Sequence, residues 1–120
     1  MINKLSEEIH LNAKSKGFFD EPKNIGEMLC LIHSEVSEAL EADRKSNYSV
    51  LGTLTDHLNN GGDFKEGFEL HVKNTFEDEL SDVIIRVLDL ARFKGIDMEW
   101  HINQKMRYNS MREHKHGKKY

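Results

Sequence analysis

Cysteine, proline and tryptophan each occur once in this 120-residue chain, and no apolar run approaches the roughly 20 residues needed to span a bilayer. The lone Cys30 rules out an internal disulfide framework and any zinc site built on cysteines. On a helical wheel it groups with Ser37 and Glu41, so a structural or interface thiol is expected rather than a nucleophile. The opening residues, Met1 to Glu8, lack the apolar centre of a signal peptide. A cytoplasmic, membrane-free protein is the expectation. Alternating strand patterns longer than a few residues are missing, as are internal repeats and low-complexity segments. There is no glycine-rich P-loop and no Gly-x-Ser-x-Gly, so a phosphate site would have to be built from a metal ion and Lys/Arg side chains.

Charged residues, by contrast, make up 32% of the chain. The formal charge of −4 conceals an asymmetry: residues 105–120 carry six Lys/Arg against Glu113 alone, leaving the first 104 residues at −9. Such a tail can be merely solvated, or it can hold an anion beside a metal bound by the acidic body.

A length of 120 residues suits one domain, 1–120, with one modest core. Helical periodicity predicts an all-α bundle of four main helices, with an insertion between the second and third. The first covers residues 2 to about 16, with Ile2, Leu5, Ile9 and Ala13 on one face, and Gly17 ends it. The Phe18-Phe19-Asp20-Glu21-Pro22 turn follows, its adjacent aromatics either plugging the end of the core, the commoner role, or presenting a stacking face to a base. The second runs from Pro22–Asn24 to about Lys45, opened by the capping-box-like pair Asn24 and Glu27. Residues 46–74 form the insertion. Within it Val50, Leu51, Leu54 and Leu58 can make a short helix, Asn59-Asn60-Gly61-Gly62-Asp63 is a turn signal, and Phe64 to Val72 can start another. The third helix begins at the N-cap Thr75 and stops at Lys94-Gly95. Asp97 caps the last, for which Trp100, Ile102, Met106 and Met111 are expected to supply contacts.

Two acidic pairs stand out. Glu35 and Glu38 lie beside the stripe of Ile25, Met28, Leu29, Ile32, Val36, Ala39 and Leu40. Glu79 and Asp82 lie beside that of Phe76, Leu80, Val83, Ile84, Val87, Leu90 and Ala91. Three-residue spacing puts each pair one turn apart on one side of its helix. Taken alone, either pair reads as solvated surface charge. Packed antiparallel, the two helices would bring four carboxylates together, an arrangement that repels itself unless a cation intervenes. Oxygen-only ligation suits a hard divalent ion such as Mg²⁺, with Mn²⁺ as a substitute. Asp89 and Glu41 lie further round as outer groups or ordinary surface charges. A di-iron bundle needs two Glu-x-x-His units; Glu7-x-x-His10 supplies one, and neither acidic pair has a histidine at the required offset.

Glu35-x-x-Glu38 followed by Glu79-x-x-Asp82, with Leu90-Ala91, Gly95-Ile96-Asp97 and Asn103-x-Lys105 after them, resembles the MazG-like all-α nucleoside triphosphate pyrophosphohydrolases. The resemblance covers about Gly17 to the C-terminus. It departs at Ser34, where many members carry another acid before the first motif, and in the longer 46–74 segment. It implies that Glu35, Glu38, Glu79 and Asp82 bind Mg²⁺ and carry catalysis. The substrate would be a nucleoside triphosphate, commonly a deoxynucleotide, cleaved between the α and β phosphates to the monophosphate and pyrophosphate. Lys105, Arg112, Lys118, Lys119 and Lys73 would contact phosphates; Phe18, Phe19, Asn24, Tyr108 and Asn109 would contact the base. A homo-oligomer, dimer or tetramer, is implied, and nucleic acid is not an expected partner. The competing reading is a non-catalytic helical module that binds nucleic acid or protein through its basic tail.

Overall fold

The computed structural model describes all 120 residues. It is all-helical: α1 (Ile2–Ser15), α2 (Ile25–Arg44), α3 (Thr53–Asn59), α4 (Phe64–His71), α5 (Phe76–Phe93) and α6 (Met98–Ser110), then a short 3-10 turn at His114–Gly117. No helix is long and apolar enough to cross a membrane. The chain forms two compact units, Pro22–Val87 and a second made of Met1–Glu21 with Leu88–Tyr120. Residues 46–74, expected as an insertion, contain two short helices, α3 and α4.

Local chemistry explains the helix ends. Asn24 accepts the Glu27 amide at 3.1 Å, and Asp63 accepts that of Glu66 at 3.1 Å. Asp97 accepts the Trp100 amide at 2.9 Å. Each side chain satisfies one of the amides that a first helical turn leaves without an intrahelical partner. At the start of α5, Thr75 Oγ1 accepts the Asp78 amide, and the Asp78 carboxylate accepts that of Asn74 in return. After α5 the chain turns at Gly95, in the left-handed region at φ 69°, which a residue without Cβ adopts at little cost.

In the Pro22–Val87 unit, the residues after α2 bond to the start of α5. Asn47 O accepts the Phe76 amide at 2.8 Å, Asn47 Nδ2 donates to Asn74 O at 2.8 Å, and the Ser49 amide donates to Glu77 at 2.8 Å. Arg86, nearly three turns further along α5, reaches back to Glu35. Helices α2 and α5 therefore run antiparallel, the arrangement that converges the acidic pairs. The α3–α4 hairpin closes around His57, whose Nε2 lies 3.1 Å from Asp63 O. Its ring occupies the space where side chains on Gly62 and Gly67 would project: a Cβ there would come within 2.2 and 2.5 Å of it. These two glycines let α3 and α4 pack closely.

In the other unit, α1 is tied down mainly by polar groups. Ser6, 3% exposed, donates to Leu88 O at 2.6 Å. His10 Nδ1 lies 2.8 Å from Asp89 Oδ1. Glu99 accepts from both the N-terminal ammonium and the Ile2 amide, at 2.8 and 2.7 Å.

The predicted stripes are rotated. Met28, Ala39 and Ala91 of the stripes are buried as expected, joined by Ala42 and Leu88, but Leu29, Val36 and Leu40 on α2, and Leu80 and Ile84 on α5, are exposed. The same rotation takes Glu35 and Glu79 inward, each 7% exposed. On α1 the buried position is Ser6, with Leu5 exposed. Trp100, Met106 and Met111 are exposed as well, so they do not supply the contacts expected of α6. Periodicity defines an apolar arc, but the tertiary partners decide which edge of it is covered.

Candidate metal centre

One carboxylate oxygen from each of Glu35, Glu79 and Asp82 can be chosen so that all three lie within 4.8 Å of one another. Opposite ligands on a Mg²⁺ ion are about 4.2 Å apart, twice a bond of about 2.1 Å, and those on Ca²⁺ about 5 Å. The three donors therefore span the width of one hard divalent cation, and their chemistry fits it. Glu38 completes the predicted quartet from outside the triad. It is exposed, and its carboxyl is within hydrogen-bonding reach of both Glu35 and Glu79.

Four acids this close cannot all ionise freely. Burial, then repulsion from Glu38, raises Glu79 from its usual 4.5 to about 7. Asp82 is raised by burial and by the charges of Glu35 and Asp78, with Arg86 offsetting part. Glu38 is raised by its hydrogen bond to Glu35 and by that group's charge. Glu35 moves the other way: burial pushes its pKa up, but the hydrogen bonds from Arg86 and Glu38 and the guanidinium charge together bring it below the usual range. The carboxyls of Glu79, Glu38 and Glu35 thus lie in one hydrogen-bonding series that ends on Arg86.

Arg86 is the residue that sequence reasoning missed. Its Nε donates to Glu35 Oε1 at 2.6 Å, a charge-assisted bond to a largely buried acid. The signal was present in the spacing, since Arg86 follows Asp82 by four residues and Glu79 by seven on one face of α5.

The acids open onto a cavity of about 760 Å³ whose walls include Phe64, Lys65, Phe68, Val72, Lys73 and Asn74 from α4 and the residues after it. Seven carboxylates line it against two lysines. Lys73 was expected near phosphate and is in this wall; Lys65 is an addition. Neither lysine forms an ion pair within the protein.

The remaining predicted contacts are placed as follows. Asn24 caps α2. Phe19 packs on His10 and Phe93, with ring centroids 4.6 and 5.2 Å away, in the unit that contains α1, while Phe18 is exposed. Tyr108, in that same unit, carries Lys105 Nζ at 5.2 Å and the Arg112 guanidinium at 5.6 Å from its ring centre. Asn109 is half-buried, with an Oδ1 that has no hydrogen-bond partner. Lys118 and Lys119 follow the 3-10 turn and are exposed. Asp89 and Glu41, weighed as outer groups, are held by His10 and by Lys45 respectively. Glu7 pairs with Arg92 at 3.4 Å.

No protein-family model, curated protein or solved structure matches this chain.

Proposed function

We propose that this protein is a Mg²⁺-dependent nucleoside triphosphate pyrophosphohydrolase of the MazG-like type. The observation that carries the reading is the convergence of Glu35, Glu79 and Asp82 within 4.8 Å in the wall of a nucleotide-sized cavity. With so many carboxylates around it, that cavity repels a bare polyphosphate, so an anionic substrate requires a cation between acids and phosphates.

Glu35, Glu79 and Asp82 are the residues that would hold the metal. When bound, Mg²⁺ supplies Lewis-acid stabilisation of phosphate charge and acidifies water. Glu38, outside the triad and with a raised pKa, is the carboxylate available to accept the proton of the attacking water. The water oxygen forms a bond to the α-phosphorus as the bond from that phosphorus to the α–β bridging oxygen breaks, and pyrophosphate leaves. Lys65 and Lys73 donate hydrogen bonds to the charge that grows on the leaving group. Arg86 keeps Glu35 ionised and oriented. A homo-oligomer belongs to the proposal: Leu29, Val36, Leu40, Leu80 and Ile84 present exposed apolar surface on α2 and α5 that a second copy would cover.

Steady-state hydrolysis by Glu38→Gln and Asp82→Asn tests the assignment. Each should reduce Mg²⁺-dependent turnover at least about 100-fold, the scale of losing a positioned general base or a metal ligand. Wild-type rates in both variants would remove the acidic quartet from the mechanism.

A further inference from the structure

We propose that α4 forms the nucleoside-binding wall of this site, with the rings of Phe64 and Phe68 receiving the base. The inference rests on the pyrophosphohydrolase reading above and assigns the part of the substrate that the carboxylates cannot recognise. Phe64 and Phe68 are one helical turn apart and both line the cavity that holds Glu35, Glu79 and Asp82. Their centroids are 6.0 Å apart with planes inclined by 38°, forming a bent aromatic surface. Phe64 is 59% exposed, so much of its ring is open for a ligand to cover.

The position of this surface is built into the hairpin. Phe64, Lys65, Phe68 and Glu69 give α4 one cavity-facing side, and Gly67 is buried on another, where His57 and Leu54 fill the space a side chain would need. That contact holds α4 against α3, so the rings face the cavity without having to fold over a ligand. Lys65 and Lys73 flank the rings in sequence and share the cavity. Apolar rings, two cations and a carboxylate cluster match the three chemistries of a nucleoside triphosphate–divalent cation complex: base, phosphates and metal. Phe18 and Phe19, the aromatics that the resemblance implied for the base, belong to the unit that contains α1.

Calorimetric titration of the full chain in Mg²⁺ with α,β-methylene analogues of adenosine and cytidine triphosphate, which resist cleavage at the proposed bond, tests the wall. Inorganic tripolyphosphate is the companion probe. Phe64→Ala and Phe68→Ala should each weaken analogue binding about 5- to 100-fold, the range expected for a lost base–ring stack, and leave tripolyphosphate affinity within about twofold. Phe64→Leu, which keeps an apolar side chain at this exposed position without disturbing the fold, should bind as weakly as the alanine variant, and Phe64→Trp should restore affinity. Unchanged analogue binding in all the phenylalanine variants, beside a wild type that binds, overturns the wall and leaves the pyrophosphohydrolase reading standing. A wild type that binds neither analogue nor tripolyphosphate overturns both.

Discussion

Replacing Glu79 with glutamine should stabilise the metal-free protein above neutral pH. Glu79 is 7% exposed and is raised from 4.5 to about 7 by burial and by the acids beside it. An acid with a raised folded-state pKa costs nothing below its unfolded value, where it is protonated in both states. The cost develops as pH rises from about 4.5 through about 7 and is complete above that. Unscreened, the shift corresponds to about 3 kcal/mol at pH 8. The carboxyl faces an open cavity, so water screens part of the repulsion and about 1–2 kcal/mol is the expected gain. For a chain of this length that is roughly 5 °C in melting temperature. Circular dichroism melts with a chelator at pH 8 and pH 5 should show Glu79→Gln melting higher at pH 8 and the difference nearly gone at pH 5. Adding Mg²⁺ at pH 8 should raise the wild-type melting temperature and leave the variant almost unmoved. A variant that is less stable at pH 8 without metal would refute the reasoning, because ionised Glu79 would then be a net favourable partner. An equal Mg²⁺ response from both proteins would put the cation elsewhere.

Arg86→Met leaves Glu35 buried without its countercharge; because the guanidinium is partly exposed, the expected loss is about 1–3 kcal/mol in urea unfolding, and Mg²⁺ should recover part of it. Ser6→Ala removes the buried bond to Leu88 O and should cost about 1–2 kcal/mol by the same measurement. Gly67→Ala forces a Cβ to within 2.5 Å of the His57 ring and 3.0 Å of Leu54. It should destabilise the protein by about 1–3 kcal/mol, with faster hydrogen exchange concentrated in residues 53–72.

Helix boundaries were legible wherever a short-range signal sets them. Asn24 with Glu27, Thr75 with Asp78, the stop at Gly95, the Asp97 cap and the Asn59–Asp63 turn each depend on residues a few positions apart, and each is present. The meeting of the two acidic pairs was also readable, from their matching spacing on two long helices. The edge of each helix that is covered was not. Leu80 and Ile84 read as core by periodicity, yet Glu79 is the buried neighbour, because burial depends on what packs opposite rather than on the helix's own sequence. That Arg86 shares a face of α5 with Glu79 and Asp82 was readable from its spacing, but its partner Glu35, 51 positions away, was not. The contribution of α4 escaped for a third reason: Phe64 and Phe68 look like ordinary core residues until the Gly67–His57 contact sets which side of the helix is packed.

The most direct test of the central claim is the identity of the bond broken. Wild-type protein incubated with Mg²⁺ and a panel of ribo- and deoxynucleoside triphosphates, then resolved by ion-exchange chromatography, should yield monophosphate and pyrophosphate in equal amounts from one or a few members, with no diphosphate. Diphosphate and orthophosphate as products, or no turnover of any triphosphate in Mg²⁺ or Mn²⁺, would contradict it.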